Sequence, residues 1–256
     1  MFSLLGLLAM VPDAGPALVP YSVDVEGRQR QVLVAKPLLP DVEAPLVFAF
    51  HGHGGNAQSA ARKFQIEKHW PEAVVVYMQG QPSVGQSDPK GLRNGWQKSK
   101  GDIDDRDLKF FNKTLDWAKK EFKVDPNRIY SMGHSNGGGF TYLLWANNPE
   151  LFAAIGVGAG GFRGGVKLKP VPVMHVAGEK DTTVPYANQV RTVSRVRAIN
   201  GCDVTATRWQ DTQFDLWPSK LGAPVVFYSY PGTHKFPDNG GEMMVRFFKE
   251  HSKPRG

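Results

Sequence analysis

Apolar residues along this chain fall into short continuous runs, separated by longer stretches in which apolar positions recur every three or four residues. Residues 45–50 and 73–78 are apolar almost throughout and bounded by Pro, Gly or polar residues, as strands buried on both faces should be. Residues 128–133, 153–157, 171–177 and 225–230 read as further strands. Upstream, residues 21–25 and 31–35 flank Glu26 and Gly27, which predicts an antiparallel hairpin turning at the glycine. Helical composition or spacing marks 57–69, 105–122, 136–147, 187–200 and 241–251. In 105–122, acidic residues sit at the start and Lys119, Lys120 and Lys123 at the end, the order that a helix dipole favours. Strand alternating with helix predicts an α/β chain with a mostly parallel central sheet and helices on both faces. Residues 80–101 and 208–222 break the rhythm and read as long loops, which in compact domains commonly carry function.

One junction carries a specific chemistry. Gly133-His134-Ser135-Asn136-Gly137 places a serine between a predicted strand and a predicted helix, with glycines at both flanks. That pattern predicts a nucleophile elbow, a tight turn lifting the hydroxyl above the sheet, and with it the α/β-hydrolase fold. A serine needs a base to take its proton and an acid to orient the base; in this fold they follow in the order acid, then histidine. Asp181 follows the strand at 171–177 and is the predicted acid, with Glu179, Asp203 and Asp215 as weaker rivals. His234 lies between the last strand and the last helix and is the predicted base; His175, inside a strand, reads as a core imidazole. The Gly-rich turn His51-Gly52-His53-Gly54-Gly55 follows the strand at 45–50, so the backbone N–H groups of His53 and Asn136 are the predicted oxyanion hole. Trp96 and Trp217, from the two long loops, and His134, beside the nucleophile, are candidates for substrate binding, the tryptophans being equally compatible with the core.

Composition narrows the alternatives. Lys and Arg outnumber Asp and Glu for a net charge of +7, but the cations are scattered. The denser groups, Lys167 and Lys169 or Arg191, Arg195 and Arg197, read as solvated faces, so no nucleic-acid partner is expected. His51 and His53 lack a nearby third ligand, so no metal is expected, and neither a P-loop nor a dinucleotide fingerprint calls for another cofactor. A single cysteine, Cys202, excludes an internal disulfide. The apolar run at residues 4–11, followed by Pro and small residues, resembles the end of a secretory signal and is too short to span a bilayer. The expectation is therefore a leader over residues 1–20, one catalytic domain over 21–256, a secreted or periplasmic location, and no stable membrane insertion. Oligomeric state is not legible in the sequence.

The motifs together resemble those of the polyhydroxybutyrate depolymerase and feruloyl esterase family of α/β-hydrolases. The resemblance rests on His51 to Gly55, Asp104-Asp105, Asp125 with Asn127 to Tyr130, Gly133 to Gly138, Phe152 to Ala154, Gly178 with Asp181 and Val184 to Tyr186, and Gly232 with His234. It implies a serine esterase acting without a cofactor on a small or polymeric ester, and a supporting role for Asp105 beneath the active-site loops. The chain departs from many such relatives in lacking their cysteines near the oxyanion turn and before the catalytic histidine. It also shows no added substrate-binding module, which points away from crystalline polyester. Two other functions share some of these features: a serine peptidase of the prolyl-oligopeptidase kind, and a noncatalytic polymer binder using Trp96, Trp209 and Trp217.

Overall fold

A computed structural model describes residues 15–162 and 168–254. In chain order its elements are β1 (Leu18–Val25), β2 (Arg28–Ala35), β3 (Ala44–Phe50), α1 (Ala57–Phe64), α2 (Ile66–His69), β4 (Val74–Met78), β5 (Gln81–Pro82) and β6 (Asn94–Gly95). Next come α3 (Arg106–Glu121), β7 (Val124–His134), α4 (Asn136–Asn147), β8 (Ala154–Gly158), β9 (Val173–Gly178) and α5 (Tyr186–Ile199). Then β10 (Thr207–Arg208), β11 (Asp215–Trp217), β12 (Val225–Tyr230) and α6 (Gly240–Lys249) follow.

Ten strands form one sheet in the order β1-β2-β4-β3-β7-β8-β9-β12-β11-β10. The six from β4 to β12 are parallel, and an antiparallel pair flanks them on each side. This is the α/β-hydrolase fold, with the mostly parallel sheet expected from the strand and helix alternation. The continuous apolar runs are explained by period two. Leu46, Phe48 and Phe50 of β3 face one core with Phe110 and Phe111 of α3 and Trp145 of α4. Val47 and Ala49 face the other core, with Phe64 of α1 and Phe247 and Phe248 of α6. Both faces being dry, no polar alternation is needed.

The structure corrects several sequence expectations. The helix expected over 57–69 is broken at Gln65, which adopts φ 49°, ψ 37°. Tyr77 Oη accepts the freed N–H of Ile66, so the break is satisfied internally. The loop expected at 208–222 contains β11, and Arg208 ends β10, so this segment extends the sheet instead of framing a cleft. Leu18 to Pro20 lie in β1, paired with Leu33 to Ala35, so the leader cannot run to residue 20. The apolar run at 4–11 and Lys167 lie outside the described residues.

Register decides where chemistry can sit. Phe50 pairs with Gly133, His134 with Gly158, and Gly178 with Tyr230, so the carboxyl ends of β3, β7, β8, β9 and β12 share one edge of the sheet. The segments that follow these strands therefore converge there, as ligand-binding loops do in open α/β sheets.

Candidate active site

Ser135 occupies the turn between β7 and α4 with φ 58° and ψ −120°, a conformation that non-glycine residues rarely adopt. Its neighbours make the turn possible. A Cβ on Gly133 would lie 2.3 Å from the Gly137 carbonyl oxygen, and one on Gly137 would lie 2.3 Å from that of Phe50. Small residues are thus required at both flanks for strand, turn and helix to approach. Ser135 N–H donates to the Gly158 carbonyl at 2.7 Å, tying the elbow to the end of β8.

The three residues singled out as nucleophile, base and acid meet here, although they are far apart in sequence. His234 Nε2 lies 2.8 Å from Ser135 Oγ, and His234 Nδ1 lies 2.8 Å from Asp181 Oδ2. Asp181 accepts the Nδ1 proton, which leaves Nε2 as the acceptor for the serine hydroxyl. The Asp181 carboxylate is fully buried, and its remaining capacity is used: Oδ1 accepts from the N–H groups of Thr183 and Val184, each at 2.9 Å, and Oδ2 from Gln189 Nε2 at 3.0 Å. The His234 side chain is 26 % exposed, so its imidazole is open to solvent while the Asp181 carboxylate is not. Of the weaker rivals, Glu179 instead accepts from Ser229 Oγ.

Gly178 lets the segment that carries His234 approach the sheet. A Cβ there would lie 2.1 Å from the Thr233 carbonyl oxygen, so the end of β9 touches the segment that carries His234. Gln189, on α5, had no signal in the sequence beyond being a polar residue on an amphipathic helix. It is fully buried, donates to Asp181 and to the Val184 carbonyl, and accepts from His175 Nε2 at 3.2 Å. His175 Nδ1 in turn accepts from Tyr142 Oη at 2.9 Å. A buried chain therefore runs from Tyr142 through His175 and Gln189 to Asp181. Burial holds the His175 pKa down to about 4, so it is neutral and supplies a single N–H to this chain.

The turn after β3 meets the elbow from the other side. The N–H groups of His53 and Asn136 are donated to no acceptor among the described residues. The Asn136 side chain closes a reciprocal pair with the Trp96 backbone, accepting its N–H at 2.7 Å and donating to its carbonyl at 3.1 Å. His53 Nε2 is held by Asp88 Oδ2 at 3.1 Å, and Asp88 also accepts the N–H groups of Leu92 and Arg93. Both nitrogens of His51 are engaged within the protein, Nδ1 with the Gly52 carbonyl and Nε2 with the Gly80 N–H, and burial lowers its pKa to about 4. Among the described residues no three His, Cys, Asp or Glu side chains are grouped to hold a metal ion. Asp105 Oδ1 gathers Gln97 Nε2 at 2.9 Å and the Gly101 N–H at 2.7 Å, bracing the loop that leads from Trp96 into α3.

The three residues considered for substrate binding lie in different places, and of them His134 alone lines a cavity at Ser135. Trp96 is buried, stacks on Phe140 with centroids 5.3 Å apart, and donates Nε1 to the His51 carbonyl, so it braces the site from within the core. Trp217 pairs with Val225, at the amino end of β12, and packs under the Arg197 guanidinium; it lies at the opposite edge of the sheet from Ser135. Trp209 is buried too and bonds Glu250, so no aromatic platform for a polymer is formed by these tryptophans. His134 lies beneath the base, its ring 5.0 Å from that of His234 and edge-on to Phe236. Burial and the nearby Lys63 push its pKa well down, keeping it an uncharged wall of the site.

Two cavities meet at Ser135. One, of about 390 Å³, is lined by His134, His234, Lys63 and Lys235, and the other, of about 620 Å³, by Asn136, Phe140, Phe162 and the exposed face of α5. No described helix is long and apolar enough to cross a membrane.

Comparison with known proteins agrees with this geometry. Residues 87–163, which span the elbow, match the prolyl oligopeptidase family. Feruloyl esterase C of Emericella nidulans is 24 % identical over 227 residues, covering 86 % of this chain and 80 % of the relative. A probable feruloyl esterase C of Aspergillus niger is 25 % identical over 195 residues, covering 74 % and 69 %. Among solved structures, the acetyl xylan esterase from Aspergillus awamori superposes with a TM-score of 0.66 at 17 % identity, covering 91 % of this chain and 99 % of the other. The feruloyl esterase module from Clostridium thermocellum gives a TM-score of 0.68 at 13 % identity, covering 96 % and 92 %. The sheet order, the elbow and these relatives lead to one assignment: the chain has the α/β-hydrolase fold and is a serine carboxylic ester hydrolase, similar to feruloyl esterases.

Proposed function

We propose that this chain hydrolyses esters of the feruloyl or acetyl type borne by polysaccharide, with Ser135 as nucleophile, His234 as general base and acid, Asp181 as its orienting partner, and the N–H groups of His53 and Asn136 as the oxyanion hole. The observation that carries the reading is the Ser135–His234–Asp181 chain, both of its links at 2.8 Å, on a strained elbow. Ser135 Oγ gives its proton to His234 Nε2 as it bonds to the ester carbonyl carbon, and the carbonyl oxygen takes the negative charge toward the two N–H groups. The C–O bond then breaks, the alcohol leaves with the proton from His234, and an acyl-serine remains. Water loses a proton to His234 and attacks that acyl group, and collapse of the second oxyanion frees the acid and restores Ser135. No cofactor enters. The apolar run at residues 4–11 makes a secreted or periplasmic location part of this proposal.

The test is turnover of p-nitrophenyl esters from acetate to decanoate by wild type and Ser135→Ala. The expected result is a loss of roughly 10⁴-fold or more in the variant; retention of most activity would remove Ser135 from the mechanism. The family match over residues 87–163 favours a peptidase as the second reading. Matched ester and amide substrates separate the two: amide turnover rivalling ester turnover selects the peptidase.

A further inference from the structure

The turn that offers one oxyanion donor is nearly bare of side chains. In Gly52-His53-Gly54-Gly55 only His53 carries one, and Gly54 takes φ 80°. Glycine leaves the peptide planes beside it free to rotate, whereas an oxyanion hole needs its N–H groups fixed before charge develops. A hold from outside the turn is therefore needed to aim the His53 N–H.

The segment from Gly80 to Trp96 supplies it. Gly80 N–H donates to His51 Nε2 at 3.0 Å, and Gly54 N–H donates to the Asn94 carbonyl at 2.7 Å. Trp96 Nε1 donates to the His51 carbonyl at 2.8 Å, and Asn94 Nδ2 to that of Gly55 at 3.3 Å. His53 itself is held by its ring, through Nε2 and Asp88 Oδ2 at 3.1 Å. Asp88 is buried and is anchored in turn, its Oδ1 accepting from Leu92 N–H at 3.2 Å and its Oδ2 from Arg93 N–H at 2.8 Å. The segment also closes over the ring. A Cβ on Gly85 would lie 2.6 Å from His53 Nε2, and one on Gly95 would lie 2.6 Å from Nδ1. The second donor depends on the same segment, because the Trp96 backbone holds the Asn136 side chain in its reciprocal pair.

We infer that Asp88 is a positioning residue for the oxyanion hole: by gripping the His53 ring it aims the His53 N–H at the developing charge. Asp88 lines neither cavity at Ser135, so it acts through His53 and not on the substrate. The inference rests on the esterase reading above and adds to it the residue that sets one donor. Any residue except proline keeps the N–H, so substitutions at either position change its aim and not its presence.

The experiment measures p-nitrophenyl acetate turnover and inhibition by phenylboronic acid in wild type, Asp88→Ala, His53→Leu and the double variant. The adduct of a boronic acid with a serine hydroxyl is tetrahedral and stands in for the oxyanion intermediate. Losing an oxyanion donor outright costs about 10²–10³-fold in kcat, so a misaimed one is expected to cost about 10–100-fold. Acylation and deacylation both pass through an oxyanion, so in Asp88→Ala kcat should fall with KM near wild type, and phenylboronic acid should bind more weakly by a similar factor. The double variant should be no slower than the slower single one, since either change breaks the same contact. Asp88→Asn keeps the side-chain volume and an acceptor for the backbone N–H groups but loses the charge facing His53. It is expected to lose less, about threefold in kcat, and it carries the same test if Asp88→Ala does not fold. Wild-type kcat in every folded Asp88 variant, unchanged phenylboronic acid affinity, or losses that multiply in the double variant would overturn the inference and leave the esterase reading standing. Absence of ester turnover in wild type would overturn both.

Discussion

Gln189→Met tests whether the buried chain behind Asp181 is what holds the acid in place. Methionine keeps the approximate length and volume of the side chain and removes its polar atoms. Three hydrogen bonds go: Gln189 Nε2 to Asp181 Oδ2 at 3.0 Å, Gln189 Nε2 to the Val184 carbonyl at 2.7 Å, and His175 Nε2 to Gln189 Oε1 at 3.2 Å. The first is charge-assisted, and the others leave a buried imidazole N–H and a carbonyl without those partners. Charge-assisted bonds are worth about 1.5–3 kcal/mol and each orphaned group costs about 1–3 kcal/mol, so, less the gain from burying an apolar thioether, the net loss is about 3–6 kcal/mol. For a domain of this size that is a fall in Tm of roughly 6–24 °C. Activity should suffer less than from removing the acid. Asp181 still accepts from Thr183, Val184 and His234, so kcat is expected to drop about tenfold, against about 10⁴-fold for a change that alters the histidine tautomer. KM should stay near wild type, because Gln189 is not among the residues lining either cavity at Ser135. Thermal unfolding and steady-state kinetics on a neutral ester measure all three quantities. A variant within about 0.5 kcal/mol of wild type and equal in kcat would refute the reasoning, since surface-like substitutions behave that way.

Two further outcomes follow from the geometry. Gly178→Ala brings a Cβ to 2.1 Å from the Thr233 carbonyl oxygen, so the segment carrying His234 must move; a displacement of about 1 Å at the base predicts a loss of about 10²-fold in kcat, and wild-type turnover in a folded Gly178→Ala protein would show that this contact does not set the base. His51 and His175 are both held near pKa 4 by burial, below their ordinary 6.5. The unfolded chain therefore takes up protons first on acidification, so stability is full above about pH 6.5 and is lost as pH falls toward 4. Urea unfolding across that window should show this slope, shallower in His175→Gln, and a flat profile down to pH 4.5 would contradict it.

The sequence by itself determined the elements and the chemistry to look for. Apolar runs such as 45–50 and 171–177, short and bounded by Pro or Gly, point to strands with both faces dry, and a serine between glycines at a strand-to-helix junction has few other uses. The candidates for acid and base, Asp181 and His234, were legible from chain order, because in this fold each follows a particular strand, and the structure brings both to Ser135. Tertiary structure alone decided the rest. Whether Trp96 faced substrate or core turned on its stacking with Phe140, and Trp217 was removed from the site by pairing with the amino end of β12. Gln189, Asp88 and the Asn136 side chain carry no motif, since their roles are hydrogen bonds to groups distant in sequence or to loop backbone. Arg191 and Arg195 of α5 are solvated as their spacing suggests, and only the fold brings them to a cavity that Ser135 also lines. Local pattern encodes which face of an element is apolar, whereas what a polar side chain meets depends on the register and packing that bring separate segments together.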